Sequence, residues 1–254
     1  MSNDQLRAVS EFLCTFSRRQ AATVVEAPGG FAVLDERYPH SQADNQLMLH
    51  GPVDPELVPE LAERLLGHLP YRRIGVADQE LGQACVPALT RAGYHHGTVL
   101  VMAHSGPTPP AGPAEVVGLA ELRPALAQWL RTALPAAEPA VLRDLAERRV
   151  ARLRGAEEVL FLAARDTDGT IGSWADLYLE PADGIAQFED LVTAWDRTRR
   201  GLADAVLTSA LARAGAAGCG FRFLLADPAD WPRHWYARRG FTPIGHFHDF
   251  SRQP

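Results

Sequence analysis

Apolar positions in the first half of the chain repeat with two different periods. Between Gln5 and Gln20 they lie three or four residues apart, which predicts an amphipathic helix. Shorter apolar runs bounded by Gly, Pro and Asp predict strands. The predicted strands are Ala22–Glu26, Phe31–Asp35, Gln46–His50, Arg72–Val76 and Gly97–Ala103, and the further helices are Pro55–His68 and Gln79–Ala92.

The apolar positions of the second half also predict both strands and helices. Its predicted strands are Val116–Leu122, Glu158–Ala164, Ser173–Leu179, Ile185–Val192, Phe221–Ala226 and Thr242–His248. Its predicted helices are Pro124–Leu134, Glu138–Arg154, Gly201–Ala214 and Trp231–Arg239. The order β-α-α-β-β-β-α-β-α-β predicts an α/β (α+β) fold, in which helices flank a mixed, mostly antiparallel sheet.

A break separates the two halves. The nine residues Ser105–Pro113 contain four prolines and two glycines, which neither a helix nor a central strand accommodates. The sequence therefore predicts a domain over residues 1–104, a linker over 105–114 and a second domain over 115–254.

Composition narrows the classes of function. The net charge of −6 argues against a basic surface for nucleic acid, and an acidic protein attracts cationic substrates such as amines. No apolar run reaches the roughly 20 residues that cross a bilayer, and the first residues do not resemble a secretory signal. We therefore expect a cytoplasmic protein that binds neither nucleic acid nor membrane, in which Cys14, Cys85 and Cys219 are buried and reduced.

One strand–loop–helix junction has the character of an anion site. After the strand that ends near Thr193 comes an arginine-rich loop, and a helix opens at Gly201. The backbone N–H groups of a first helical turn lack partners within the helix, and they suit a phosphate or pyrophosphate. Gly201 allows close approach of the backbone, and Ala203 keeps the turn uncrowded.

A second segment offers a candidate acid. In the short predicted helix Trp231–Arg239, Tyr236 lies four residues before Gly240. A phenol with a pKa near 10 is able to protonate a leaving thiolate. Packing in the core is the alternative role for this tyrosine.

Together these two segments resemble the GNAT superfamily of N-acetyltransferases. The family's phosphate loop, Gln/Arg-x-x-Gly-x-Gly/Ala, corresponds to Thr198-Arg199-Arg200-Gly201-Leu202-Ala203, with Thr198 at the usual basic position and Arg197 one residue early. The family's later motif, a tyrosine followed by a glycine and an aromatic residue, corresponds to Tyr236 and Gly240-Phe241. The resemblance covers about residues 115–254.

The resemblance implies acetyl-CoA as co-substrate, no metal, and a small-molecule or peptide amine as acceptor. The pantetheine arm would lie between the splayed strands Ile185–Thr193 and Phe221–Ala226. The implied cofactor-binding residues are Leu191, Val192 and Thr193 for the arm, and Arg199, Arg200, Gly201, Leu202, Ala203 and Asp204 for the pyrophosphate. Tyr236 is the implied acid.

Direct attack by an amine needs a nearby base. Glu189 on the strand before the loop is the first candidate, and Asp190 is the second. Because neighbouring side chains of a strand point to opposite faces, only one of them is expected to line the cleft. Glu189 as a solvated edge residue is the alternative. His246 and His248 share one strand face, but two histidines without a third ligand make a poor metal site.

The first half resembles a degenerate copy of the same plan. Ala92-Gly93-Tyr94 precedes its last strand as Gly240-Phe241 precedes the other, but its loop, Gly51 to Pro55, has no arginine and two prolines. We therefore expect a tandem GNAT-like arrangement with one active site; an unrelated α/β domain is the alternative. Two other functions stay open for the whole chain: a non-catalytic acyl-CoA-binding or protein-interaction module, and a tandem transferase acting on a thiol-cofactor precursor. The sequence leaves open whether the protein is a monomer or a homodimer.

Overall fold

The computed structural model describes residues 2–253, which form two compact units. The first unit contains residues 2–102, 226–235 and 243–253, and the second contains 103–225 and 236–242. The sequence-based division assigned all of 115–254 to the second domain, so the two divisions differ at the C-terminal end. The difference arises because the last strand, Phe241–Arg252, pairs with the strand Arg72–Val76 of the first unit.

The first unit contains a six-stranded sheet with three helices from the N-terminal part of the chain. Its strands are β1 (Thr23–Ala27), β2 (Gly30–Leu34), β3 (Gln46–Leu49), β4 (Arg72–Val76), β5 (His95–His104) and β11 (Phe241–Arg252). Its helices are α1 (Ser2–Gln20), α2 (Val58–Leu66), preceded by a 3-10 turn at Pro55–Leu57, and α3 (Gln79–Arg91).

The strand order of this sheet is β1-β2-β3-β4-β11-β5. The pair β3–β4 is parallel, whereas β1–β2, β2–β3 and β4–β11 are antiparallel. The strands β1 and β2 form a hairpin around Gly29-Gly30. Side chains from β3, β4, α2 and α3 build the core, and the fully buried ones include Leu49, Leu66, Ile74, Leu89 and Phe250.

The second unit has a five-stranded sheet with helices on both faces. Its strands are β6 (Glu115–Val117), β7 (Glu158–Arg165), β8 (Ile171–Glu180), β9 (Ile185–Thr193) and β10 (Phe221–Ala226). Its helices are α4 (Leu119–Ala133), α5 (Pro139–Glu147), α6 (Arg149–Arg152) and α7 (Leu202–Ala216), with a 3-10 turn at Trp195–Arg197. Helix α8 (Pro232–Ala237) is divided, with residues 232–235 in the first unit and 236–237 in the second.

The strand order here is β6-β7-β8-β9-β10. Only β9–β10 is parallel, because β6–β7, β7–β8 and β8–β9 are antiparallel. The succession α-β-β-β-α-β-α-β thus occurs twice along the chain, once from α1 to β5 and once from the α4–α6 region to β11. This confirms the predicted mixed, mostly antiparallel sheet flanked by helices, in two tandem copies.

One predicted strand is mostly helix. The sequence analysis expected a strand over Val116–Leu122, but β6 ends at Val117 and α4 begins at Leu119. Leu122, Leu126 and Leu130 recur every fourth residue, and all three are buried against the sheet. Leucines four residues apart share one face of a helix, and Leu122 is the first member of this buried set, so the helix already includes the end of the predicted strand.

The proline-rich segment 105–114 is irregular, as its composition predicts, and it packs on α7. The backbone N–H of Ala114 donates to Ser209 Oγ at 2.9 Å. A Cβ atom placed on Gly112 would lie 2.6 Å from the same oxygen, so the segment approaches the helix closely. The segment is therefore fixed along the second unit rather than exposed as a free spacer.

Candidate functional site

The site centres on two parallel strands that separate. β9 and β10 pair from Ile185 opposite Phe221 to Phe188 opposite Leu224, and their pairing ends there. β9 nevertheless continues to Thr193, still paired with β8 on its other side. The edge of residues 189–193 that faces away from β8 therefore has no strand partner within residues 2–253. Leu191, Val192 and Thr193, predicted to bind the pantetheine arm, all lie on this edge.

A β-bulge lies where the strands part. Val192 opposes Trp174 and Glu189 opposes Asp176, so β9 has one residue more than β8 between these pairs. Asp190 lies in this bulge and has a φ of 48°. Such bulges bend a strand and redirect its side chains.

The bulge overturns the expectation that Glu189 and Asp190 point to opposite faces. Glu189 is the cross-strand partner of Asp176, so both project from the same face of the sheet. The carboxylate of Asp190 accepts hydrogen bonds from Arg149 and Arg152, which also bind Asp176. Both carboxylates therefore lie on one side, because the bulge breaks the alternation of the strand.

Glu189 has the electrostatics of a base that works near neutral pH. Its side chain is half-buried, and Gln187 Nε2 donates to its Oε2 at 2.7 Å. Burial, reinforced by the charge of Asp190, raises the pKa of Glu189 to about 7. A carboxylate with such a pKa is able both to accept a proton and to release it at physiological pH.

A buried ion network that the sequence analysis missed supports these carboxylates. Arg149 Nε lies 3.1 Å from Asp176 Oδ2, its Nη2 lies 3.0 Å from Asp190 Oδ2, and Arg152 Nη1 lies 2.7 Å from the same Asp190 oxygen. Burial alone would raise the pKa of Asp190, but Arg152 and Arg149 outweigh it and hold that pKa below its usual range. Asp190 therefore stays ionised, and Glu189 is the carboxylate of the two that titrates.

The signal for this network was present in the sequence but is weak. Two arginines three residues apart share one face of a helix, and Asp176 interrupts an otherwise apolar strand. Both features also occur on exposed surfaces. Only the fold brings α6 and β8 together, where Asp176 is fully buried and its charge must be paired.

Tyr236 lies on α8 and packs edge-on against Phe241, with the ring centroids 5.8 Å apart. Burial, followed by the negative charges of Glu189 and Asp190, raises the pKa of its phenol. The group is therefore protonated at neutral pH and belongs to the electrostatic surroundings of Glu189.

The loop after β9 presents an uncapped helix terminus. Gly201 adopts a left-handed φ of 78° and precedes α7, and no side chain within residues 2–253 caps the first turn. The backbone N–H groups of Leu202, Ala203 and Asp204 belong to this turn. A Cβ atom built on Gly201 meets nothing within 4 Å, so the backbone there is accessible to a ligand. The geometry suits an anionic group.

The arginines of this loop are arranged differently from the expectation. Arg197 Nη1 lies 2.7 Å from Asp166 Oδ2, and Arg200 bonds the same carboxylate in the turn between β7 and β8. Arg199, by contrast, is exposed with a φ of 61° and forms no ion pair with a described residue. Asp204 binds Arg239. Of the two predicted phosphate-binding arginines, only Arg199 is turned away from internal partners.

His246 and His248 belong to the first unit. His248 is buried in the first unit, where its Nδ1 lies 2.9 Å from His96 Nε2 and its ring stacks on Phe250. Across residues 2–253, no three His, Cys, Asp or Glu side chains are placed to hold a metal ion together. Cys14, Cys85 and Cys219 are buried and unpaired, as expected, and burial raises the pKa of each thiol.

Solved structures with this architecture include GCN5-related N-acetyltransferases. The one from Kribbella flavida aligns with a TM-score of 0.62 over 96% of this chain and 95% of its own, at 18% identity. The one from Sphaerobacter thermophilus aligns with a TM-score of 0.57 over 89% of this chain and 76% of its own, at 17% identity. The chain has the GNAT fold.

The same fold occurs in a functionally unknown conserved protein from Staphylococcus epidermidis, with a TM-score of 0.65, 11% identity, and coverage of 92% of this chain and 94% of that protein. Neither the protein-family models nor the curated proteins match the sequence. Within the described residues, no helix of this GNAT fold is long and apolar enough to cross a membrane.

Proposed function

We propose that the protein is an N-acetyltransferase that moves the acetyl group of acetyl-CoA to a primary amine by direct attack. One observation carries the proposal: Glu189, a carboxylate with a pKa of about 7, lies where β9 and β10 part. In a sheet of this fold, that is where a thioester and an amine would meet. The acceptor class is a small-molecule or peptide amine.

In the proposed reaction, Glu189 accepts one proton and Tyr236 donates another. The amine nitrogen attacks the thioester carbonyl carbon, the new N–C bond forms, and the C–S bond breaks. Glu189 takes the proton that the amine loses, and Tyr236 donates a proton to the departing sulfur. Both protonation states required beforehand exist near pH 7, because the Glu189 carboxyl is partly ionised and the Tyr236 phenol is neutral.

Acetyl-CoA fits two features of the second unit. The free edge at Leu191–Thr193 offers backbone groups to the amides of an extended pantetheine arm, as an added strand would use them. The first turn of α7 and the Arg199 side chain offer positive charge to the pyrophosphate. The residues proposed for the pyrophosphate remain Arg199 to Asp204, with Arg200 acting through its backbone.

Calorimetric titration with acetyl-CoA tests the proposal. We expect micromolar binding by the parent protein, and binding at least about a hundredfold weaker in Gly201→Glu, whose carboxylate would occupy the place of the phosphate. Gly218→Glu is a matched control, because Gly218 follows the other end of α7, has a φ of 82°, and likewise has nothing within 4 Å of its Cβ position. Failure of the parent to bind would refute the transferase proposal.

A non-catalytic acyl-CoA-binding or interaction module is the alternative, favoured by one observation. Arg197 and Arg200 are bonded to Asp166, so the loop has fewer cations for phosphates than its sequence suggests. Release of CoA thiol with a panel of amines separates the two functions. Tight binding of acetyl-CoA without turnover of any amine would favour the module. Residence in the cytoplasm and a monomeric or homodimeric state complete the proposal.

A further inference from the structure

A cavity of about 250 Å³ lies beside the bulge of β9. Asp190 and Val192 of β9 line one side of it. Helices α4 and α5, with the residue that follows α4, contribute a mostly apolar wall: Leu126, Trp129, Leu130, Ala133, Leu134 and Leu145. One of the lining residues, Asp190, therefore follows the proposed base directly in sequence.

The size of the cavity limits what it can hold. A void of roughly 150 Å³ with aliphatic walls accommodates a benzene ring. A cavity of about 250 Å³ leaves room for such a ring and a short alkyl chain, but not for a folded peptide segment or an oligosaccharide. Branched alkyl groups fit equally well.

The charges around the cavity argue against an acceptor with several ammonium groups. Arg148 and Arg149 line it, and Arg152 lies on the next turn of the same helical region. The carboxylate of Asp190 is one third exposed and already accepts hydrogen bonds from Arg149 and Arg152. No further carboxylate is among the lining residues, so a second ammonium group would meet only arginines.

On the basis of the function proposed above, we infer that the acceptor is a monoamine with a compact aromatic or branched-alkyl body, which enters this cavity while its nitrogen reaches Glu189. Burial of the apolar body supplies binding energy, and the arginines select against polyamines. Selection thus rests on the body of the acceptor rather than on a second charge.

Acetyl transfer to three probes tests the inference: 2-phenylethylamine, ethanolamine and spermidine. We expect kcat/KM for 2-phenylethylamine to exceed that for each of the other two by at least about tenfold. Preference for spermidine, or equal rates with ethanolamine, overturns the inference while leaving the transferase intact. Loss of both acetyl-CoA binding and turnover of every amine removes the proposed function and this inference with it.

A pair of variants locates the preference in the cavity. Leu134 and Leu153 are both exposed leucines at helix C-termini, but only Leu134 lines the cavity. We expect Leu134→Asp to lower kcat/KM for 2-phenylethylamine about tenfold with little effect on ethanolamine, and Leu153→Asp to change neither by more than about twofold. Equal effects of the two substitutions would place the apolar body of the acceptor elsewhere.

Discussion

The two units contain equivalent pairs of parallel strands that end differently. In the first unit, β3 pairs with β4 up to Leu49 opposite Val76, and Ala77 N donates to Leu49 O at 2.8 Å beyond that point. β3 is thus paired to its last residue. In the second unit, β9 runs five residues past its last pair with β10, from 189 to 193. Only the second pair leaves a free backbone edge.

The loops that follow these strands also differ in whether their backbone N–H groups have hydrogen-bond partners. After β3, the N–H groups of His50 and Gly51 both donate to Gly29 O, at 2.9 and 3.0 Å, and Pro52 has no N–H. Asp54 caps the 3-10 turn by accepting from Glu56 N at 3.0 Å. After β9, the first turn of α7 has no side-chain cap. The same order of elements therefore occurs with a loop that satisfies its own donors in the first unit and with an uncapped helix start in the second.

The largest effect is expected at the residue that follows the last pair of parallel strands, which is Glu189 in the second unit and His50 in the first. We expect Glu189→Gln to lower kcat about a hundredfold with little change in acetyl-CoA affinity, because it removes the proposed base. In the parent, kcat/KM should rise with pH through about 7, where Glu189 loses its proton, and this limb should vanish in the variant. His50→Gln in the first unit is the control, and an equal loss there would break the comparison.

A smaller effect is expected from the two tyrosines. Tyr236→Phe removes the proposed acid, and we expect steady-state assays to show kcat about tenfold lower. Tyr94 of the first unit also precedes a late strand, but its buried hydroxyl has no hydrogen-bond partner within residues 2–253. Tyr94→Phe should leave turnover unchanged, since it removes only an unsatisfied hydroxyl. Unchanged turnover in Tyr236→Phe would remove the acid role from this residue.

The next prediction concerns the carboxylates beside the two loops. Asp166→Ala removes a negative charge near the proposed phosphate site, yet we expect calorimetry to show acetyl-CoA affinity about fivefold lower, because Arg197 and Arg200 would no longer fix the loop. Asp166→Glu should restore part of it. Asp54→Ala in the first unit should leave the affinity unchanged. Tighter binding by Asp166→Ala would instead show that the released arginines bind phosphate.

The smallest effect concerns stability in acid. Burial, aided by His96 and His246, lowers the pKa of His248 to about 4, while an unfolded histidine titrates near 6.5. Between these two pH values the histidine is protonated in the unfolded chain but neutral in the folded chain. The free energy of unfolding therefore falls as the pH drops from about 6.5 towards 4. The urea midpoint at pH 5.0 should lie below that at pH 7.5, and His248→Phe should reduce this difference. An equal difference in both proteins would contradict the assignment.

Much of the fold follows from periodicity alone. The strands Arg72–Val76 and Phe221–Ala226 have the predicted bounds, because their apolar runs are short and clearly bounded. The uncapped start of α7 at Gly201 was also predictable, since its signal is a local junction of strand, loop and helix. The error at Val116–Leu122 arose because a strand and a helix start within one apolar stretch.

The missing parts depend on contacts that no local pattern records. The bulge at Asp190 changes the direction of two carboxylates, yet it depends on pairing with β8. The partners of Asp176 come from a helix far away in sequence, and the partner of Arg200 comes from a turn. Sequence patterns indicate which face of an element is buried, but not which element covers it.

The place of β11 has a consequence for the synthesis of the chain. In the sheet of the first unit, β11 lies between β4 and β5. A ribosome completes both of those strands before it begins the second unit, and it supplies β11 only after that unit. Until β11 is made, the nascent first unit therefore holds two strands without their common neighbour, with backbone groups exposed to pairing with other chains. The first unit is therefore completed only by a strand that follows the second unit in the sequence.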